Sequence, residues 1–184
     1  MKNLIPKKVF LTKGLGKHKE KLASYEDALR NAGIAPFNLV KTSSIFPPGA
    51  ELISVEEGLK LIHPGQVVFV VMSENQTDEP KRVISSSVGL AIPKDRSTYG
   101  YLSEHHSFGQ DEKESGDYAE FLAAHMLATT MGLSFVPPST SWKEDKDYYK
   151  IKDKILYTTS ITQNGVGEKG IWVSTIAAAV FIME

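Results

Sequence analysis

At 184 residues the chain fits one domain with room for a substantial core. Hydrophobic residues at 41% and charged residues at 23% match an ordinary globular protein, and a net charge of −1 gives no electrostatic case for nucleic acid or an anionic membrane as partner. The absence of cysteine excludes disulfides, thiolate nucleophiles and cysteine metal sites. No apolar run approaches the roughly 20 residues that span a bilayer, and Met1 to Lys8 lacks the apolar core of a secretory signal. A cytoplasmic setting is therefore expected.

In chain order, Val9 to Thr12 reads as a first strand. Gly14-Leu15-Gly16-Lys17-His18-Lys19 reads as a strand-to-helix loop, because neither phosphate-loop pattern is complete. Leu22, Tyr25, Ala28 and Leu29 recur at helical spacing, which predicts a helix from about Lys19 to Ala32 with Gly33 just past its end. Phe37 to Lys41 is a short apolar strand that runs out at a serine pair. Val55 to Leu59 predicts a short helix, and Val67 to Met72 a buried strand of mostly β-branched and aromatic residues. Glu74 to Lys81 is polar and reads as a loop.

Arg82 to Ile92 and Thr98 to Ser107 follow as strands, their small residues pointing to close packing. Glu114 to Met131 is the clearest helix, with Tyr118, Phe121, Leu122, His125, Met126 and Thr129 at 3–4 spacing and Gly132 after them. Pro137 to Thr140 reads as a linker. Ile151 to Ile161 and Gly170 to Met183 read as strands joined across a loop at Asn164 to Glu168. Seven or eight strands and about three helices make an α+β protein.

The densest signal is Thr42-Ser43-Ser44-Ile45-Phe46-Pro47-Pro48. A serine pair alone is ordinary in loops and helix caps. Here the two prolines fix their own φ and push the residues before them toward extended backbone. The Ser44 hydroxyl then stands beside the Ser43 carbonyl, the arrangement an N→O acyl shift requires.

The runs Ala28 to Ile34, Asn38-Leu39-Val40, Ser43 to Pro48, Gly89 to Pro93 and Gly100 to His106 together resemble the pyruvoyl-dependent arginine decarboxylases, in register from about Lys8 onward. The resemblance implies an αββα sandwich of mostly antiparallel strands. It also implies a homotrimer, or a multiple of trimers, with active sites shared between neighbours. It further implies that the single domain 1–184 cuts itself into a small chain, 1–43, and a chain 44–184 bearing a pyruvoyl group derived from Ser44. Decarboxylation of an amino acid needs a carbonyl electron sink that no standard side chain provides. Nothing in the sequence forms an evident phosphate cup for pyridoxal phosphate. The expected reaction is L-arginine to agmatine and carbon dioxide.

Several further positions carry expectations. Asn38, six residues before Ser44, is either an exposed strand residue or, as the family motif implies, a donor to a carbonyl in the turn or to substrate. Glu104 is either a solvated strand end or, by the resemblance, the acid that returns a proton to the α-carbon. Glu26, with Asp27 beside it as the second candidate, is either an exposed carboxylate paired with Arg30 at i+4 or, as the resemblance implies for position 26, the partner of the substrate guanidinium, whose planar fork favours a bidentate carboxylate. His105 and His106 are adjacent on a strand and point to opposite faces, so no metal site is expected there, and His125 reads as a core or interface histidine. The other readings are a pyruvoyl decarboxylase for another amino acid, or an unprocessed relative serving as an assembly or regulatory subunit.

Overall fold

The structure is a computed structural model that describes residues 4–133 and 154–183. Among them are nine strands and three helices: β1 Lys8–His18, α1 Lys21–Asn31, β2 Asn38–Lys41, β3 Ile45–Phe46, β4 Glu51–Ile53, α2 Val55–Leu59, β5 Val67–Thr77, β6 Val83–Pro93, β7 Gly100–Phe108, α3 Glu112–Thr130, β8 Ile155–Val166 and β9 Trp172–Ile182. One sheet runs β2-β5-β9-β1-β4 and the other β3-β7-β6-β8. Pairing is antiparallel except for β1 with β4 and β2 with β5.

Three apolar clusters define the layers. Val9, Phe46, Val71, Val88, Leu90, Leu102, Ala179 and Phe181 fill the space between the sheets. Phe10, Ala28, Ile34, Val70, Val180 and Ile182 join α1 to the outer face of the five-stranded sheet. Ala91, Phe121, Ala124 and Leu127 seat α3 against the four-stranded sheet. The result is an αββα sandwich, as the resemblance implies. β6 and β9 are buried almost end to end, which suits strands covered on both faces.

Several elements differ from the sequence reading. Gly14 to His18 belongs to β1 and is not a loop. A Cβ at Gly14 or Gly16 would lie 2.0 Å from Ala28 O or 1.9 Å from Ser24 O, so these glycines let α1 rest directly on the strand. Glu74 to Thr77 continues β5, because Asn75 and Thr77 are buried polar residues and Asn75 Nδ2 donates to Ser107 O across the sandwich. The expected loop at Asn164 to Glu168 is strand as far as Val166. β8 and β9 do not pair, because each lies in a different sheet.

Leu22 is 79% exposed, and the buried side of α1 is carried by Ser24 and Ala28. On α3 the buried side is mostly small residues, Ser115, Gly116, Ala119, Ala123, Ala124 and Ala128, with Tyr118 left 45% exposed. The Pro137 to Thr140 linker and the first residues of the expected Ile151 strand lie outside the described residues.

Candidate active site

The serine pair sits where the chain leaves one sheet for the other. β2 is an edge of the five-stranded sheet and β3 an edge of the four-stranded one. These edges lie on the same side, because β5, next to β2, bonds β7, next to β3, through Ser73 Oγ to His105 O at 2.7 Å. Thr42 N donates to Val70 O at 2.9 Å and closes the first sheet, and Leu102 N donates to Ser44 O at 2.8 Å and opens the second. Ser43 and Ser44 are the whole of the crossover.

The residues after it hold it in place. Phe46 is 1% exposed and inserts between the sheets. Position 100, opposite on β7, is glycine, and a Cβ there would crowd Phe46 Cβ at 3.3 Å and meet Ala91 O at 2.4 Å. Pro47 O accepts from Ala50 N at 3.2 Å in a tight turn, and the Arg96 guanidinium donates to Ala50 O. The two prolines thus end β3 after two residues.

On β7, Leu102 faces the inter-sheet core while Ser103 donates to Ala119 O of α3 at 2.6 Å. Strand alternation puts Glu104 on the same face as Leu102, at the margin of the sandwich. There its Oε2 accepts a hydrogen bond from Ser44 Oγ at 2.6 Å. Ser43 O accepts from Ile45 N at 2.9 Å. A hydroxyl, a carboxylate that accepts its hydrogen bond and a hydrogen-bonded carbonyl on the preceding residue therefore lie on one turn, the types of group that an N→O acyl shift uses. Glu104 is exposed among the described residues.

The other expected residues lie elsewhere. Asn38 Nδ2 donates to Gly65 O at 2.8 Å at the start of β2, about 13 Å along the strand from Thr42 at ~3.3 Å per residue. Glu26 is on the helical layer outside the five-stranded sheet, where its Oε1 accepts from Arg30 Nε at 3.1 Å. His105 contacts Gln110 Oε1 at 2.8 Å and packs on Tyr118, on the α3 side of β7, while His106 is exposed.

Sequence reasoning missed two features. The main-chain donors Ile45 N and Leu102 N leave no mark in side-chain type. Tyr25 of α1 meets Glu74, and burial with that carboxylate pushes its phenol above the ordinary range. Glu74 also pairs with Lys41 at 3.0 Å, beside the crossover, and only the alternating burial of β5 would have revealed this.

Comparison with known proteins bears on this arrangement. The family model described as pyruvoyl-dependent arginine decarboxylase matches residues 8–184. A Chlorobium phaeovibrioides protein named probable pyruvoyl-dependent arginine decarboxylase is 54% identical over 180 residues, 98% of this chain and 99% of its own. Proteins named pyruvoyl-dependent arginine decarboxylase from Nitrosopumilus maritimus and Methanococcoides burtonii are 52% and 50% identical, over 100% and 98% of this chain and the full length of each relative.

Proposed function

The chain belongs to the pyruvoyl-dependent arginine decarboxylase family, and on that premise we propose that it cuts itself between Ser43 and Ser44 and then converts L-arginine to agmatine and carbon dioxide. The family is one of enzymes whose prosthetic group is a pyruvoyl derived from a serine. The observation that carries the reading is the 2.6 Å hydrogen bond from Ser44 Oγ to Glu104 Oε2, on a residue whose preceding carbonyl is already hydrogen-bonded.

The residues present fit a pyruvoyl group formed at position 44. Leu102 N would hold the carbonyl of residue 44, as it holds Ser44 O in the intact chain. The group itself supplies a carbonyl electron sink. Glu104 takes the Ser44 hydroxyl proton during self-cleavage and later holds a proton for the substrate α-carbon. The products are residues 1–43 and 44–184.

Substrate recognition is assigned to Glu26 through the guanidinium, and Asn38 remains a positioning residue of the site. Neither reaches Ser44 within one chain, which supports a site shared between copies of a homotrimer or a multiple of it. Exposed Leu22 on α1 and half-exposed Tyr118 on α3 give such an assembly apolar surface to cover. Among the described residues no helix is long and apolar enough to cross a membrane, and a cytoplasmic location is part of this reading.

The test supplies processed protein with arginine, lysine, ornithine and histidine in turn and measures released carbon dioxide. Lysine and ornithine lack the planar fork, so arginine should lead by at least about ten- to a hundredfold. Equal reaction with another amino acid would transfer the assignment to that substrate. A chain that stays uncut and releases nothing would be the assembly subunit instead.

A further inference from the structure

We infer that the main-chain N–H of Ile45 is the oxyanion donor of self-cleavage, so that the chain carries its own one-residue oxyanion hole. The inference rests on the self-processing reading above and adds to it the group that stabilises the charged intermediate. Ile45 pairs with Tyr101, and Leu102 N donates to Ser44 O. That is the pattern around a non-hydrogen-bonded antiparallel pair, and it leaves Ile45 N–H outside the ladder. Its bond goes to Ser43 O at 2.9 Å, the oxygen of the peptide bond to be broken. Ser44 Oγ, two atoms along its own side chain, is held on the same turn by Glu104 Oε2. One turn thus carries a fixed donor on the Ser43 carbonyl and, on the next residue, a hydroxyl already bonded to a proton acceptor.

In the step this geometry serves, the Ser44 Oγ proton moves to Glu104 Oε2 as Oγ bonds to the Ser43 carbonyl carbon. The carbonyl π pair moves onto Ser43 O, and Ile45 N–H holds the resulting oxyanion. Collapse breaks the bond between the Ser43 carbon and the Ser44 nitrogen, and Glu104 returns the proton to that nitrogen. The product is the ester isomer of the same chain, with no atom gained or lost. A donor placed on an oxyanion before it forms needs no reorganisation during the reaction, and removing one donor typically costs about 10²–10³ in rate.

Ile45→Pro removes the N–H, and Ile45→Val keeps it with a similar β-branched side chain. Freshly synthesised full-length chains are followed by intact mass, alongside circular dichroism to show that each is folded. Ile45→Pro should cleave about 10²–10³ more slowly than wild type, and Ile45→Val should stay within about threefold. Should the proline disturb the fold, the α-hydroxy-acid analogue of isoleucine at position 45 replaces N–H by oxygen and should slow cleavage likewise. A folded protein lacking this N–H that cleaves within about threefold of wild type overturns the inference and leaves the self-processing reading standing. A wild-type chain that never cleaves overturns both.

Discussion

The Ser44–Glu104 hydrogen bond joins residues 60 positions apart. A neutral hydroxyl donating to a carboxylate forms one of the stronger hydrogen bonds, worth about 1.5–3 kcal/mol. That acceptor also makes the hydroxyl a better nucleophile. Ser44→Ala should abolish cleavage, leaving one band at 20.3 kDa on a denaturing gel, and normal cutting of that variant would remove Ser44 from the chemistry. Glu104→Gln keeps the shape but not the proton acceptor, so self-cleavage timed by intact mass should slow by about 10²–10⁴. A normal rate would show that another base serves Ser44. The candidate nucleophile was legible in the sequence because prolines at 47 and 48 restrict the chain before them. The contact with Glu104 was not, because it depends on how two sheets stack. Ile45 N–H was invisible, since every residue but proline has one.

The elements around the site show which local signals carried through. Val67 to Met72 was legible as strand from its β-branched run, but β5 continues through Glu74 to Thr77, where polar side chains are buried and bonded. Glycines 14 and 16 read as loop because glycine marks both turns and close approaches, and only the position of α1 tells them apart. Gly16→Ala should therefore destabilise the protein by about 1–3 kcal/mol, read as a lower urea midpoint, since its Cβ would meet the backbone of Ser24 and Ala28. An unchanged midpoint would mean that α1 sits farther from β1. Tyr25 tests the packing of α1 elsewhere on the same sheet, against Glu74 of β5. Its folded pKa is raised above the ordinary 10.0 by burial first and by Glu74 second. Its contribution to stability is then fully present below pH 10 and is lost as the pH rises above that value. In an ultraviolet titration the folded protein should show an ionisation step above the ordinary phenol range that Tyr25→Phe removes. A titration curve left unchanged by Tyr25→Phe in that range would contradict the packing of α1 on Glu74.

At the scale of the whole molecule, the chain brings Ser43, Ser44 and Glu104 together and leaves Glu26 on another layer. In the monomer Glu26 has the bland role, its carboxylate paired with Arg30. If a neighbouring copy presents it to the substrate, Glu26→Gln should raise the KM for arginine at least about tenfold while self-cleavage proceeds normally, because no substrate takes part in cleavage. Unchanged arginine preference in that variant would free Glu26 from substrate binding. Sedimentation should give a trimer or a multiple of one, and a fully active monomer would refute the shared site. On the proposed reading the chain carries the whole of its self-processing chemistry at one crossover between two sheets. Intact-mass analysis of freshly synthesised wild-type chain, incubated without any added factor, puts that to the test. The 20.3 kDa species should give way to two fragments with masses of residues 1–43 and of a chain beginning at position 44 with a pyruvoyl group, whereas a single uncut mass after prolonged incubation, or a cut at any other bond, would overturn it.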